Sequence, residues 1–240
     1  MRLTDFEVLS FGCYGTLIDR AAGIYTALGP LLGSGQVKLS REEVLAVFSR
    51  HEAAQQAETP RMTYSAVLSV VHGRLAKEWG VLASEDDHAL FGKSVPQWPP
   101  FVDTPAALQY LKRYFKLVAL SNTDRASFAA SSRRLEVGFD EVITAQEIGS
   151  YKPALAHFES LVSRVARLGF ERRHIIHIAQ SPARDLIPAR RCGLATVWID
   201  RYPEERGEGA TVGPAGSARY EFRFPSLVDM VKAHQEELQT

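Results

Sequence analysis

The chain is punctuated by short apolar runs that stop abruptly at small or polar residues: Val8–Phe11, Leu117–Leu120, Ile175–Ala179 and Ala195–Ile199, with a shorter fifth at Val142–Thr144. Runs this short and this rich in β-branched and aromatic residues suit strands buried on both faces, the situation of a parallel sheet. Helical periodicity fills the intervals at Thr104–Tyr114, Arg125–Leu135, Pro153–Leu168 and Asp185–Cys192. In the first of these, Ala107, Leu108 and Leu111 form an apolar face while Lys112 and Arg113 turn outward. Strands alternating with helices on this spacing predict an α/β fold built on a Rossmann-like doubly wound parallel sheet.

The alternation breaks once, directly after the first run. From residue 20 to residue 98 only helical periodicity is visible. Ser40-Arg41-Glu42-Glu43 has the form of a capping box opening a helix through Gln56. A second helix is predicted over Tyr64–Trp79, with Val67, Leu68, Val71 and Leu75 on one face. Pro96-Gln97-Trp98-Pro99-Pro100 then ends the block, because prolines in this density cannot continue a helix. The expected organisation is a Rossmann-like core domain, residues 1–19 and 99–240, with an inserted helical cap domain, residues 20–98. The Gly- and Pro-containing stretch Arg201–Tyr220 reads as a surface loop before a last helix from Ser226.

Composition narrows the function classes. Lys plus Arg and Asp plus Glu both number 28, so no basic footprint for nucleic acid or an anionic membrane is expected. The two cysteines, Cys13 and Cys192, lie far apart without metal-ligand spacing. No apolar run approaches the ~18 residues of a membrane helix. Acidic residues interrupt the first seven positions, where an export signal would be uninterrupted. A mature cytoplasmic protein is the expectation.

Doubly wound sheets bind ligands beyond the carboxyl ends of their strands, so the residues following each run are the candidates for chemistry. They are Gly12-Cys13-Tyr14-Gly15-Thr16-Leu17-Ile18-Asp19, Ser121-Asn122, Ser150-Tyr151-Lys152-Pro153 and Gln180-Ser181-Pro182-Ala183-Arg184-Asp185. In this order the four segments resemble the motifs of the haloacid dehalogenase superfamily over nearly the whole chain. Tyr14-Gly15-Thr16-Leu17, the Ser121-Asn122 pair and Ser150-Tyr151-Lys152-Pro153 are most similar to its 2-haloacid dehalogenase branch.

That resemblance implies hydrolysis of short 2-halocarboxylic acids through an aspartyl ester, a form of covalent catalysis. It also exposes a departure: Gly12 stands at the position of the nucleophilic aspartate. Of the other positions, Lys152 would hold the nucleophile's charge and Asp185 would help activate water. Thr16, Ser121 and Asn122 would donate hydrogen bonds to the substrate carboxylate or the nucleophile, with Tyr14 beside them. Arg50, on a cap helix, is the candidate clamp on the substrate carboxylate. Metal-dependent relatives carry a second acid where Tyr14 stands, leaving Asp185 as the only clear carboxylate, so neither metal nor other cofactor is expected. Pro182-Ala183-Arg184 and Arg20-Ala21-Ala22 also depart from the branch's pattern.

Structural readings stand beside these. Ser121 and Asn122 are also good caps for the helix opening near Asp124. Tyr14 and Trp98 also suit packing at the crevice rim, and the histidines, His177 included, read as packed or solvated. Cys13 is expected to point away from the crevice. Three functions follow: a 2-haloacid-dehalogenase-type hydrolase inactivated at Gly12, a pseudoenzyme binding a small carboxylic acid or a partner, and a scaffold turned to acid–base chemistry by Lys152 and Asp185. If Gly12 is the only defect, Gly12→Asp restores halide release. A homodimer is left open, and neither nucleic acid nor membrane is expected as a partner.

Overall fold

The computed structural model describes residues 1–34, 37–202 and 219–240. Six strands form one parallel sheet: β1 (Val8–Gly12), β2 (Lys116–Ser121), β3 (Glu141–Thr144), β4 (Ile175–Ala179), β5 (Ala195–Ile199) and β6 (Phe222–Phe224), in the order β3-β2-β1-β4-β5-β6. The predicted α/β doubly wound sheet is therefore present. β1 lies between β2 and β4, so the chain first builds outward on one side and then crosses to the other. The crevice at such a reversal is where doubly wound folds bind ligands.

Both faces of the sheet are covered, and the two-residue side-chain period of each strand feeds two separate cores. Leu9, Phe11, Leu117, Ala119, Ile176 and Ile178 join one core, whereas Val8, Val118, Leu120 and Ile175 join the other. Burial on both sides explains why these segments are near-continuous apolar runs rather than alternating ones.

Between β1 and β2 the described elements are helical: α1 (Arg20–Ala27), α2 (Gly29–Leu32), α3 (Arg41–Glu58), α4 (Tyr64–Trp79) and α5 (Glu85–Gly92), followed by a 3-10 turn at Val95–Gln97. The capping box at the start of α3 forms as predicted, with the Ser40 hydroxyl accepting from Glu43 N and the Glu43 carboxylate accepting from Ser40 N. The segments entering and leaving this block run side by side: Asp19 N donates to Pro99 O at 2.8 Å, and Asp19 Oδ1 caps α1 by accepting from Ala22 N. Trp98, 1% exposed, is not a rim residue but a packing centre. It meets Tyr14 and Tyr64 edge-on and lies so close to Gly23 that a Cβ there would stand 2.3 Å from its ring.

The remaining helices are α6 (Thr104–Leu111), α7 (Arg125–Leu135), α8 (Ala145–Ile148), α9 (Ala156–Arg167), α10 (Ile187–Arg191) and α11 (Leu227–Glu237). Two sequence expectations change. The helix expected over Asp185–Cys192 is a π-helical turn at Pro182–Leu186 followed by the short α10. β6 was not anticipated: three residues are too few for a period-2 pattern to register. Of the loop expected over Arg201–Tyr220, residues 203–218 lie outside those described.

Candidate active site

A crevice opens at the carboxyl ends of β1, β2 and β4, roofed by α1, α3 and α4. Its walls include Tyr14, Asn122, Lys152 and Asp185 from the sheet side and Arg20, Glu52, Gln56 and Tyr64 from the helical side, with Arg184 between them. Gly15 turns the chain out of β1 with φ +91°, a conformation that favours glycine.

At the floor lies a buried polar cluster centred on Asp185. The Lys152 ammonium binds Asp185 Oδ1 and also donates to Leu120 O at 2.9 Å. His177 Nε2 approaches the same Oδ1 at 3.1 Å, and its Nδ1 lies 3.0 Å from Ser10 Oγ. Burial pushes the Asp185 carboxyl up, but the Lys152 charge and the His177 contact outweigh it and hold the pKa at about 2. Burial, above all, depresses the His177 pKa, so the ring is neutral near neutrality. A carboxylate only accepts, so Nε2 carries the proton and Nδ1 accepts from the Ser10 hydroxyl.

Asp185 also stands where position 12 lacks a side chain. A Cβ on Gly12 would be 3.0 Å from Asp185 Oδ1 and 3.1 Å from the Ala179 Cβ. A carboxylate added at position 12 would have to share this space with one already fixed by Lys152 and His177, so an aspartate there is not a simple addition.

Asn122 holds Lys152 from behind, its Oδ1 accepting from Lys152 N at 2.7 Å and its Nδ2 donating to Lys152 O at 3.3 Å. Thr16 and Ser121 are buried beside the crevice and engaged within the fold: Thr16 Oγ1 accepts from Gln180 N, and Ser121 Oγ pairs with Thr123 Oγ1 at 2.7 Å. The Tyr14 hydroxyl pairs with Ser131 Oγ at 2.8 Å. Neither Ser121 nor Asn122 caps α7; Asp124 does, accepting from Ser127 N. Cys13 is buried in the hydrophobic core, its Sγ donating to Phe11 O. Burial pushes its thiol up to about 12, and it feels the charges of both Lys152 and Asp185.

Arg50 is a correction. It is exposed on α3, away from the crevice walls, where it pairs with Glu78 at 2.6 Å and 2.8 Å. A helix turns a new face every residue, and the crevice-facing positions two and six residues on are Glu52 and Gln56. Glu52 is bound on three sides. Its Oε2 accepts from Arg20 at 2.7 Å and Arg184 at 2.9 Å, and its Oε1 accepts from the Tyr64 hydroxyl at 2.8 Å. Burial raises its carboxyl, yet Arg20 and then Arg184 bring the pKa to about 2.

The sequence carried a signal for Glu52 and Gln56. The buried face of α3 runs through Val44, Leu45 and Phe48 and then turns polar at Ser49, Glu52, Gln55 and Gln56. An inward stripe that changes from apolar to polar along one helix marks where the core gives way to a site. Arg20 and Arg184 had no comparable pattern.

The donor set does not suit a hard divalent cation, which needs several oxygen ligands. Both crevice carboxylates are already bound by cationic side chains, and among the described residues no three His, Cys, Asp or Glu side chains gather as a metal site. Nor is any described helix long and apolar enough to cross a membrane.

No family model matches the chain, and no curated protein matches it in sequence. Solved structures match closely in shape. The L-2-haloacid dehalogenase of Xanthobacter autotrophicus superposes with a TM-score of 0.79 at 18% identity, covering 96% of this chain and 98% of that one. The same enzyme with chloropropionic acid covalently bound gives 0.77 over the same shares at 18% identity. The magnesium-bound HAD-hydrolase YfnB of Bacillus subtilis gives 0.75 at 17% identity, over 98% and 100%. The chain thus has the α/β fold of these haloacid dehalogenase structures.

Proposed function

We propose that this chain is a haloacid-dehalogenase-like protein whose crevice, between the sheet and a helical cap of residues 20–98, binds a short carboxylic acid without forming the aspartyl ester. The observation that carries this reading is the charge of the crevice. Arg20, Lys152 and Arg184 face Glu52 and Asp185, leaving one positive charge in excess in a largely buried setting. An unbalanced charge is costly away from water, and a monoanion neutralises it.

Gly12 offers nothing to attack a substrate, and no ester can start there. Asp185 is a weak substitute as a base, because a carboxyl held at about 2 takes up protons poorly near neutrality. This favours binding over the acid–base alternative. The test is calorimetric titration with propionate, 2-chloropropionate and propionamide. One equivalent of each acid should bind, with the neutral amide failing to compete. Equal binding of acid and amide, or no binding of either acid, contradicts the reading.

A further inference from the structure

We propose that Arg184, Gln56 and Lys152 form the subsite for the ligand's carboxylate group, a deepening that rests on the proposed carboxylic acid binding. These three side chains are shared between the crevice and a second opening of about 300 Å³ beside Pro60, Tyr151 and Pro153, so they form the partition between the two.

Each has a donor to spare. Arg184 uses one Nη2 contact on Glu52, and among the described residues its Nη1 and Nε have no partner. The Lys152 ammonium has three N–H groups and spends two, on Leu120 O and Asp185. Gln56 is the most telling. It is 93% buried in the sense that only 7% of its surface is exposed, and its Nε2 is enclosed without a hydrogen-bond partner. A buried, unsatisfied amide destabilises a fold unless something else uses it.

The arrangement is built rather than incidental. Glu52 accepts from Arg184 and so fixes one edge of the guanidinium, leaving the other edge for a bidentate partner. Asn122 clamps the backbone of Lys152 on both its N–H and its C=O. A carboxylate has two oxygens and four acceptor positions, enough to take a guanidinium edge, an ammonium N–H and an amide N–H together. A neutral amide or alcohol would leave the excess charge unmatched.

The experiment is calorimetric titration of the full chain with propionate, alongside thermal unfolding of each unliganded variant. Arg184→Gln should weaken propionate binding at least tenfold, and Arg184→Lys should weaken it less. Gln56→Met should weaken binding several-fold while leaving the unliganded protein as stable as before, or more so, because an unpaired buried amide has been removed. A side chain with a purely structural role would show the reverse, lower stability and unchanged affinity. Unchanged affinity in both Arg184→Gln and Gln56→Met, with the parent binding propionate normally, overturns the subsite alone. Loss of binding in the parent itself would take down the carboxylic acid reading as well.

Discussion

The Lys152 ammonium is bound to the carboxylate of Asp185, beside a glycine at position 12. One carboxylate, delivered from the loop after β4, thus sits against the lysine and against the space that a side chain from β1 would enter. A side chain added at position 12 would therefore meet a carboxylate that is already ion-paired. Lys152 and Asp185 are charge-paired at the floor of the crevice.

Breaking that pair should be costly. Asp185→Asn leaves the Lys152 ammonium buried without its counter-charge and His177 without an ionic acceptor. Removing one partner of a buried ion pair commonly costs about 3–5 kcal/mol. Urea denaturation should show a loss in this range, and a loss below about 1 kcal/mol would mean that the pair is not the structural centre of the crevice.

Adding a carboxylate at position 12 should conflict with the one present. A Cβ there meets Asp185 Oδ1 at 3.0 Å, and overpacking of this kind costs roughly 1–3 kcal/mol. Two carboxylates in contact also force one to protonate. Gly12→Asp is therefore expected to be less stable than the parent, and Gly12→Asp combined with Asp185→Asn to recover much of the loss of either. Simple additivity of the two losses would show that the positions do not share one space.

Stability should fall with acid in two stages. His157, buried and held neutral at about 4 by burial and then by Lys152, resists the proton that the unfolded chain accepts near 6.5, so destabilisation begins below that pH. Asp185 and Glu52 have folded values of about 2 against 3.8 and 4.5. Their contribution is complete above about pH 4.5 and is lost as the pH falls toward 2. The depressions correspond to on the order of 2–3 kcal/mol each. The urea midpoint should decline gently from pH 6.5 and steeply below 4.5, with the steep limb reduced in Glu52→Gln. A midpoint constant down to pH 3 would contradict this assignment.

The sheet was legible in the chain because its strands are buried on both faces. β4 and β5 match their apolar runs to the residue, and β1, β2 and β3 extend only one or two residues beyond theirs. α4 and α7 likewise match their predicted bounds, and Ser40 and Glu43 announced the start of α3. At the site, residues that follow strands were readable because the topology decides where strand ends converge, which brought Lys152, Asp185, Asn122 and Tyr14 to one crevice. Residues arriving from helices were not, because their direction depends on a rotation that sequence position alone does not give. Arg50 and Glu52 are two apart on α3 and face opposite surroundings.

Arg50→Ala tests that distinction. Its partner Glu78 is itself solvent-facing, and exposed pairs contribute about 0–1 kcal/mol. The variant should bind propionate as the parent does and unfold at nearly the same urea concentration. A tenfold loss of affinity would return Arg50 to the site.

The most direct test is chloride release from 2-chloropropionate by the unaltered chain, measured at ligand concentrations that saturate binding. With no side chain at Gly12 and Asp185 tied to Lys152, chloride should not rise above the protein-free control. Chloride that accumulates in proportion to protein would contradict the account, because some group in this crevice would then be opening the carbon–halogen bond.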